Sequence, residues 1–136
     1  MRTGGIDDVG LVTDIDRAVR GAGRPQDVAH MLEVDGCSLL VDDAADDGAG
    51  AYAVTKPDRV IMLAGRSEAS AARVLQAALA SAPEGGRFEV GWLTSPQQWA
   101  IRTTLAAGLD LSPHGPVMTL GMAGPPAPAI PSGGYG

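Results

Sequence analysis

Residues 59–82 read RVIMLAGRSEASAARVLQAALASA and join an apolar strand to an amphipathic helix. The short run from Arg59 to Ala64 has the composition of a buried strand. Ser67 is a suitable helix N-cap, and the apolar residues after it recur at helical spacing, namely Ala71, Leu75, Ala78, Leu79 and Ala82. Pro83 ends this helix. A strand that leads directly into a helix indicates a mixed α/β domain.

Two helices and two further strands are predicted before this stretch. The first helix is stopped by Gly21 and Gly23, and its apolar stripe consists of Ile15, Ala18, Val19 and Ala22. The second opens at Pro25, whose fixed φ suits a first helical position, and ends at Gly36. Strands over Cys37–Asp42 and Ala51–Thr55 then form an antiparallel meander with residues 59–64. We expect residues 1–10 to be a loose lead-in.

A strand, a helix and a final strand are predicted after residue 82. The strand is indicated by the alternation of Phe88, Val90 and Trp92 with polar residues and glycine. Ser95-Pro96-Gln97-Gln98 is a capping-box pattern, and its helix runs to about Ala107 with Gly108 as the left-handed C-terminal residue. The last strand is residues 116–120.

The predicted element order is therefore ααβββαβαβ, an α/β (α+β) domain over residues 1–120 with helices on both faces of a mixed sheet. Residues 121–136 read GMAGPPAPAIPSGGYG. Because so many prolines exclude a helix and a central strand, this segment is predicted to be an extended tail.

Composition excludes several classes of function. The 136 residues are 45% hydrophobic and 19% charged, as in a globular domain, and the net charge of −6 argues against nucleic-acid binding. No apolar run is long enough to span a membrane, and the N-terminus lacks a secretion signal, so we expect a cytoplasmic protein without a membrane partner. Cys37 has too few Cys and His residues around it for a zinc site, and it is predicted to be a buried thiol.

Two further groups of residues invite a binding interpretation. The acidic residues Asp42, Asp43, Asp46 and Asp47 lack the spacing of a calcium loop and predict a solvated turn. Trp92 and Trp99 flank a turn, where they line either a ligand pocket or the core and a dimer interface. No metal site is predicted.

The element order and several motifs resemble the GNAT acetyltransferase superfamily. Residues 100–109, AIRTTLAAGL, are similar to the family's helix with a catalytic Tyr and a terminal Gly-Phe. Residues 60–82 resemble the family's fourth strand with the helix that follows it. Residues 51–54 resemble the family's third strand. Residues 16–21, DRAVRG, and 130–135, IPSGGY, are similar to the C-terminal halves of tandem actinobacterial GNAT proteins.

The resemblance implies an acetyl-CoA loop of pattern Q/R-x-x-G-x-G/A over residues 66–71, RSEASA. Arg66 and Ala71 fit this pattern, but Ala69 replaces the first Gly, and Glu68 places a carboxylate where a diphosphate would dock. In an active member, Arg66 and the N–H groups of Ser67, Ala69, Ser70 and Ala71 would hold the pyrophosphate. The pantetheine arm would pair with Met62 and Ala64.

The residues expected to carry acetyl transfer also depart from the family pattern. Thr104 takes the position of the general-acid Tyr, although its hydroxyl is far less acidic than a phenol of pKa about 10. Gln97 replaces the family's Asn and Leu109 its Phe. Glu89 is a candidate base or a solvated surface residue, and His114 is read as a loop residue.

Three functions follow from this interpretation. The first is a degenerate GNAT-like domain that associates without catalysis, either as a homodimer or beside a companion GNAT domain. The second is an active acetyl-CoA-dependent N-acyltransferase that acts on a small amine or a protein amine. The third is a module that binds a small molecule between its strands without turnover.

Overall fold

The computed structural model describes residues 1–43, 50–113 and 129–130. Its elements, in chain order, are β1 (Arg2–Gly4), a 3-10 helix (Ile6–Asp8), α1 (Val9–Arg20), α2 (Pro25–Glu33), β2 (Ser38–Asp42), β3 (Ala51–Lys56), β4 (Arg59–Gly65), α3 (Glu68–Ala80), β5 (Glu89–Val90), α4 (Gln98–Ala106) and β6 (Ala129–Ile130).

The strands form one mixed sheet in the order β1-β2-β3-β4-β5. Neighbours from β1 to β4 are antiparallel, whereas β5 runs parallel to β4. The strand β6 pairs antiparallel with β4. The predicted α+β fold class with a mixed sheet is therefore confirmed, and the sheet is mostly antiparallel.

Helices cover both faces of the sheet and divide the core in two. One half packs α1 and α2 on a face that includes Leu39, Val41, Tyr52, Val54 and Met62. The other packs α3 and α4 on a face that includes Ala51, Ala53, Val60 and Leu63. This division follows from the two-residue period of a strand, since neighbouring side chains point to opposite faces. Each large side chain buried here contributes roughly 1.5–3 kcal/mol.

Strand β4 carries an irregularity near its middle. Val54 of β3 faces Met62, but the next residue, Thr55, faces Val60, so that Ile61 is an additional residue on β4. Such a bulge bends a strand and increases its local twist. On the other side of β4, pairing with β5 covers Arg59 and Val60. The second half of β4 is therefore available to a different partner.

Gly65 lets α3 approach the end of β4 closely. A Cβ atom at this position would lie 2.8 Å from the backbone nitrogen of Ala71 and 3.0 Å from its Cα. Backbone atoms cannot rotate away as a side chain can. The residue at the junction between β4 and α3 therefore has to be glycine.

The expectation of a loose lead-in over residues 1–10 was wrong. Arg2 pairs with Val41 and Gly4 with Leu39, which makes β1 the edge of the sheet, and α1 already begins at Val9. The Arg2 guanidinium also donates to Asp8, with Nη1 2.9 Å from Oδ2. A strand of three residues is too short to show periodicity, so its pairing with a distant strand was invisible in the sequence.

The second half of the chain differs in two details from its prediction. The strand at residues 88–92 is shorter than predicted, because Trp92 has a φ of 61° and leaves the extended conformation after Val90. The predicted capping box is wrong, since α4 begins at Gln98 with Gln97 as its N-cap residue. The predicted strand over residues 116–120 lies outside the described residues, as does most of the tail, whose residues 129–130 form β6.

Candidate functional site

The residues assigned to an acetyl-CoA site lie at the C-terminal end of β4 and the start of α3. Met62 and Ala64 are buried, and they belong to the half of the core beneath α1 and α2. Arg66, Glu68 and Ala69 are exposed, whereas Ser70 and Ala71 are buried. The structure thus brings these predicted residues together at one junction.

Two serines close the first turn of α3 on itself. Ser67 Oγ accepts a hydrogen bond from the Ser70 backbone nitrogen at 3.2 Å, and Ser70 Oγ accepts one from the Ser67 nitrogen at 3.2 Å. The two hydroxyl oxygens are 3.0 Å apart. The predicted N-cap at Ser67 is confirmed, and its capping box uses Ser70 as the reciprocal residue.

These bonds decide whether the junction fits a pyrophosphate. A diphosphate at a helix N-terminus needs backbone N–H groups that point to the ligand without another acceptor. Here the Arg66 nitrogen donates to the Gly50 carbonyl at 2.9 Å, and the Ala71 nitrogen donates to the Ser67 carbonyl at 3.0 Å. With Ser67 and Ser70 also engaged, four of the N–H groups over residues 66–71 have protein acceptors.

The two remaining donors at this turn belong to Glu68 and Ala69. Glu68 is exposed in the first turn, where its carboxylate repels a diphosphate and competes with it for the same positive end of the helix. The Glu68 carboxylate and the engaged backbone N–H groups therefore both disfavour a diphosphate at this turn. The residues at this junction do not fit the pyrophosphate of acetyl-CoA.

Thr104, at the position that the GNAT resemblance assigns to a catalytic Tyr, is also unavailable to a ligand. Thr104 is buried in α4, and its hydroxyl lies 3.0 Å from the Ala100 carbonyl and 3.0 Å from the Ile101 carbonyl. A hydroxyl that donates within its own helix is not directed to a substrate. Glu89 is exposed on β5, and its backbone nitrogen donates to Asp58. Within the described residues, neither Thr104 nor Glu89 is hydrogen-bonded to residues 66–71.

The candidate ligand residues Trp92 and Trp99 have different environments. Trp99 is buried in the half of the core beneath α3 and α4, which agrees with the core interpretation for this residue. Its indole nitrogen is buried and has no hydrogen-bond partner among residues 1–43, 50–113 and 129–130. Trp92 is 50% exposed. Trp99 is therefore a core residue, whereas half of Trp92 is open to solvent.

A buried polar network escaped the sequence analysis. The Tyr52 hydroxyl donates to Asp16 Oδ1 at 2.6 Å, and Arg24 Nε donates to Asp16 Oδ2 at 3.2 Å. Tyr52 and Asp16 are fully buried, and Arg24 is nearly so. Burial, then the neighbouring Asp16 carboxylate, raise the pKa of Tyr52 well above its usual value. The network joins α1 and the start of α2 to β3.

One signal could have revealed this network. Asp16 falls four residues after Val12 and next to Ile15, inside the apolar stripe of α1. A carboxylate on that stripe must be buried, and a buried carboxylate requires hydrogen-bond donors. Arg20 lies nearby, and burial followed by the charge of Arg24 lowers its pKa.

Asp42, the first residue of the acidic cluster, does not lie in a solvated turn. Asp42 is buried, and its Oδ2 accepts from Arg73 of α3, 2.9 Å from Nε and 2.8 Å from Nη2. Asp43 is more exposed and accepts from Arg2 at 2.8 Å. The interpretation of Asp42 as solvated was therefore wrong, because α3 supplies a cation that pairs with it. Asp46 and Asp47 lie outside the described residues.

Neither a metal centre nor a membrane span is found in the part of the chain that the structure describes. Within residues 1–43, 50–113 and 129–130, His, Cys, Asp and Glu side chains form no group of three suited to a metal ion. The helices in those ranges are too short or too polar to cross a bilayer. Cys37 is buried, and desolvation raises the pKa of its thiol, as in a structural cysteine.

A surface cavity of about 350 Å³ lies at the opposite edge of the sheet, between β1 and the end of α2. Its lining includes Gly4, Leu32, Glu33 and Cys37. This cavity is separated from the outer edge of β4 by the width of the sheet. It therefore does not extend the candidate site.

In comparisons with models of protein families, with curated proteins and with solved structures, the chain matched none of them.

Proposed function

We propose that this chain is a GNAT-like domain that has lost acetyl-CoA binding and works by association, either as a homodimer or beside a companion GNAT domain. The order of elements supports this proposal: two helices, a meander of three strands, then a helix, a strand and a helix. So does the short parallel pairing of β4 with β5, which ends at Val60 and lets the strands diverge.

One observation carries the proposal: the first turn of α3 is closed by Ser67 and Ser70 and has a carboxylate at Glu68. A scaffold that kept its ligand would need free N–H groups and no negative charge at this turn. The buried hydroxyl of Thr104, engaged within α4, supports the same conclusion for the chemistry. An active N-acyltransferase is the alternative, and the titration below distinguishes the two.

Association is supported by large apolar side chains on the surface. Trp92 is 50% exposed and is held at a positive φ, a conformation that costs a bulky residue free energy. Leu105 and Leu111 are also exposed. Aromatic residues of this kind are enriched at the centres of protein interfaces. We expect Trp92 to lie in the surface that contacts the partner.

The proposal is tested by calorimetric titration of the full chain with acetyl-CoA, together with its mass by light scattering. We expect the titration to give no saturable heat at millimolar acetyl-CoA. For the homodimer, we expect light scattering to give twice the monomer mass, and we expect Trp92→Ala to lower that mass. Micromolar binding that Arg66→Ala abolishes would instead favour the active acyltransferase. A strictly monomeric chain that binds no acetyl-CoA would exclude the homodimer and leave the companion domain as the partner.

A further inference from the structure

The two residues of β6 continue both faces of the sheet. Ala129 pairs with Ala64, and Ile130 pairs with Leu63, along the half of β4 that β5 does not cover. Ala129 joins the core beneath α1 and α2, whereas Ile130 joins the core beneath α3 and α4. They are 2% and 3% exposed. A segment from the C-terminal tail therefore occupies the open edge of β4.

Gln97 holds this segment from the start of α4. Its side-chain nitrogen Nε2 donates to the backbone carbonyl of Ala129. Its Oε1 accepts from the Thr94 backbone nitrogen at 2.6 Å and from the Thr94 hydroxyl at 3.1 Å. Gln97 is 1% exposed, so both ends of its amide are satisfied inside the protein. Thr94 fixes the position of the amide, so that Nε2 points to the backbone carbonyl of Ala129.

We propose that the outer edge of β4 at Leu63 and Ala64, together with Gln97, is a binding site for an extended peptide with a small residue followed by a branched apolar one. Its resident ligand is the chain's own Ala129-Ile130. Peptides that add a strand to a sheet edge gain affinity from backbone hydrogen bonds and specificity from alternate side-chain pockets. Gln97 and the β4 backbone supply the hydrogen bonds, and the two halves of the core supply the side-chain pockets.

Three features distinguish this site from ordinary core packing. Among the described residues, the bulge at Ile61 and the end of β5 pairing at Val60 leave the second half of β4 with β6 as its only neighbour on this side. An unpaired edge exposes backbone groups that accept another strand. The segment is also distant in sequence, since 64 residues, 65–128, separate Ala64 from Ala129 and include the whole of α3 and α4.

The connection sets how a free peptide competes with the resident one. A segment that belongs to the same chain as its site reaches an effective concentration on the order of millimolar there. A free peptide therefore binds the wild-type chain with an apparent Kd near millimolar. Weakening the resident segment reveals the affinity of the site itself. This inference rests on the pairing of β6 and is independent of the proposed family relationship.

The test uses the full chain with Ile130→Asp and a fluorescein-labelled peptide of residues 124–136, GPPAPAIPSGGYG. Because an aspartate opposes burial at this position, the variant's own segment should leave the edge. We expect fluorescence anisotropy to give at least tenfold tighter binding to the variant than to wild type. A matched peptide that carries the same Ile130→Asp change should not bind. Absence of peptide binding to a folded variant, or equal binding to both chains, would overturn the proposal.

Hydrogen exchange on the wild-type chain gives a second test if Ile130→Asp prevents folding. The amide of Ile130 should exchange at least tenfold more slowly than that of an unstructured chain, because in an antiparallel pair only alternate residues bond to the partner strand and Ala129 faces Gln97 instead. Gln97→Leu, which keeps the volume but removes the donor to Ala129, should accelerate that exchange and leave the amides of β2 unchanged. An unprotected Ile130 amide in the wild type would overturn the proposal. Acetyl-CoA binding would contradict the proposed function and leave this result unaffected.

Discussion

The phenol of Tyr52 donates a 2.6 Å hydrogen bond to the carboxylate of Asp16, and both side chains are fully buried. Removing the donor in Tyr52→Phe leaves one oxygen of a buried carboxylate without it. We therefore expect a loss of about 1–3 kcal/mol in the free energy of unfolding. Urea unfolding at pH 7 measures this loss. Asp58→Asn, at an exposed ion pair with Arg59, is the control and should have little effect.

The same bond predicts a pH dependence above neutrality. Burial and the Asp16 carboxylate raise the pKa of Tyr52 in the folded chain, whereas the unfolded phenol titrates near 10. The unfolded state thus loses its proton first. The stabilisation is fully present below about pH 10, and it falls by about 1.4 kcal/mol for each pH unit above that value. Tyr52→Phe should remove this component, and an unchanged alkaline slope in the variant would contradict the assignment.

The attachment of β1 predicts a shifted carboxyl titration. Hydrogen bonds from Arg2, then from the Gly5 backbone, lower the pKa of Asp8 to about 2. The stability from this pair is present above the ordinary Asp value and is lost as the pH falls through about 2. In Arg2→Gln, the pKa of Asp8 should rise towards its ordinary value, as followed by carboxyl NMR shifts. Arg17→Gln should leave that titration where it was.

The N-cap of α3 predicts a stability effect that depends on the side-chain acceptor. Ser67→Ala removes the oxygen that accepts from the Ser70 nitrogen, and we expect a loss of about 1 kcal/mol. Ser67→Asp supplies another acceptor at the same place and should retain most of the stability. Thermal unfolding of the three chains measures both effects. Equal losses in the two variants would show that the cap does not contribute as proposed.

Two glycines predict opposite outcomes of the same substitution. Gly65→Ala places a Cβ against the Ala71 backbone, so we expect α3 to shift and the chain to lose about 1–3 kcal/mol. Gly10→Ala lies in α1 with open space around the new Cβ, and helix propensity predicts a gain of up to about 1 kcal/mol. Chemical unfolding compares the two. A neutral Gly65→Ala would show that the junction is looser than the distances indicate.

The elements that local chemistry determines could be predicted from the sequence. Pro25 opens α2, Ser67 caps α3 and Gly108 has a φ of 87° after α4, all as predicted. Each of these residues acts through its own backbone or through a neighbour within one helical turn. The three meander strands were also recognisable, because each presents a run of apolar residues to the two halves of the core.

The remaining features depend on contacts between distant residues. The strand β1 has three residues and β6 has two, so neither shows a period, and each exists because a partner strand is nearby. The burial of Gln97 has no sequence signal, because its partner Ala129 arrives from 32 residues away. At the candidate site, the departures of Glu68 and Ala69 from the acetyl-CoA loop pattern were visible in the sequence. The reciprocal bonds between Ser67 and Ser70 required the structure.

The proposed loss of acetyl-CoA binding is tested most directly by NMR titration of the full chain with acetyl-CoA, observing the backbone amides of residues 66–71. Four of these amides already have protein acceptors, and Glu68 adds a negative charge among them. The account predicts that none of these signals moves saturably up to millimolar ligand. Saturable shifts at these amides with a micromolar midpoint would contradict it.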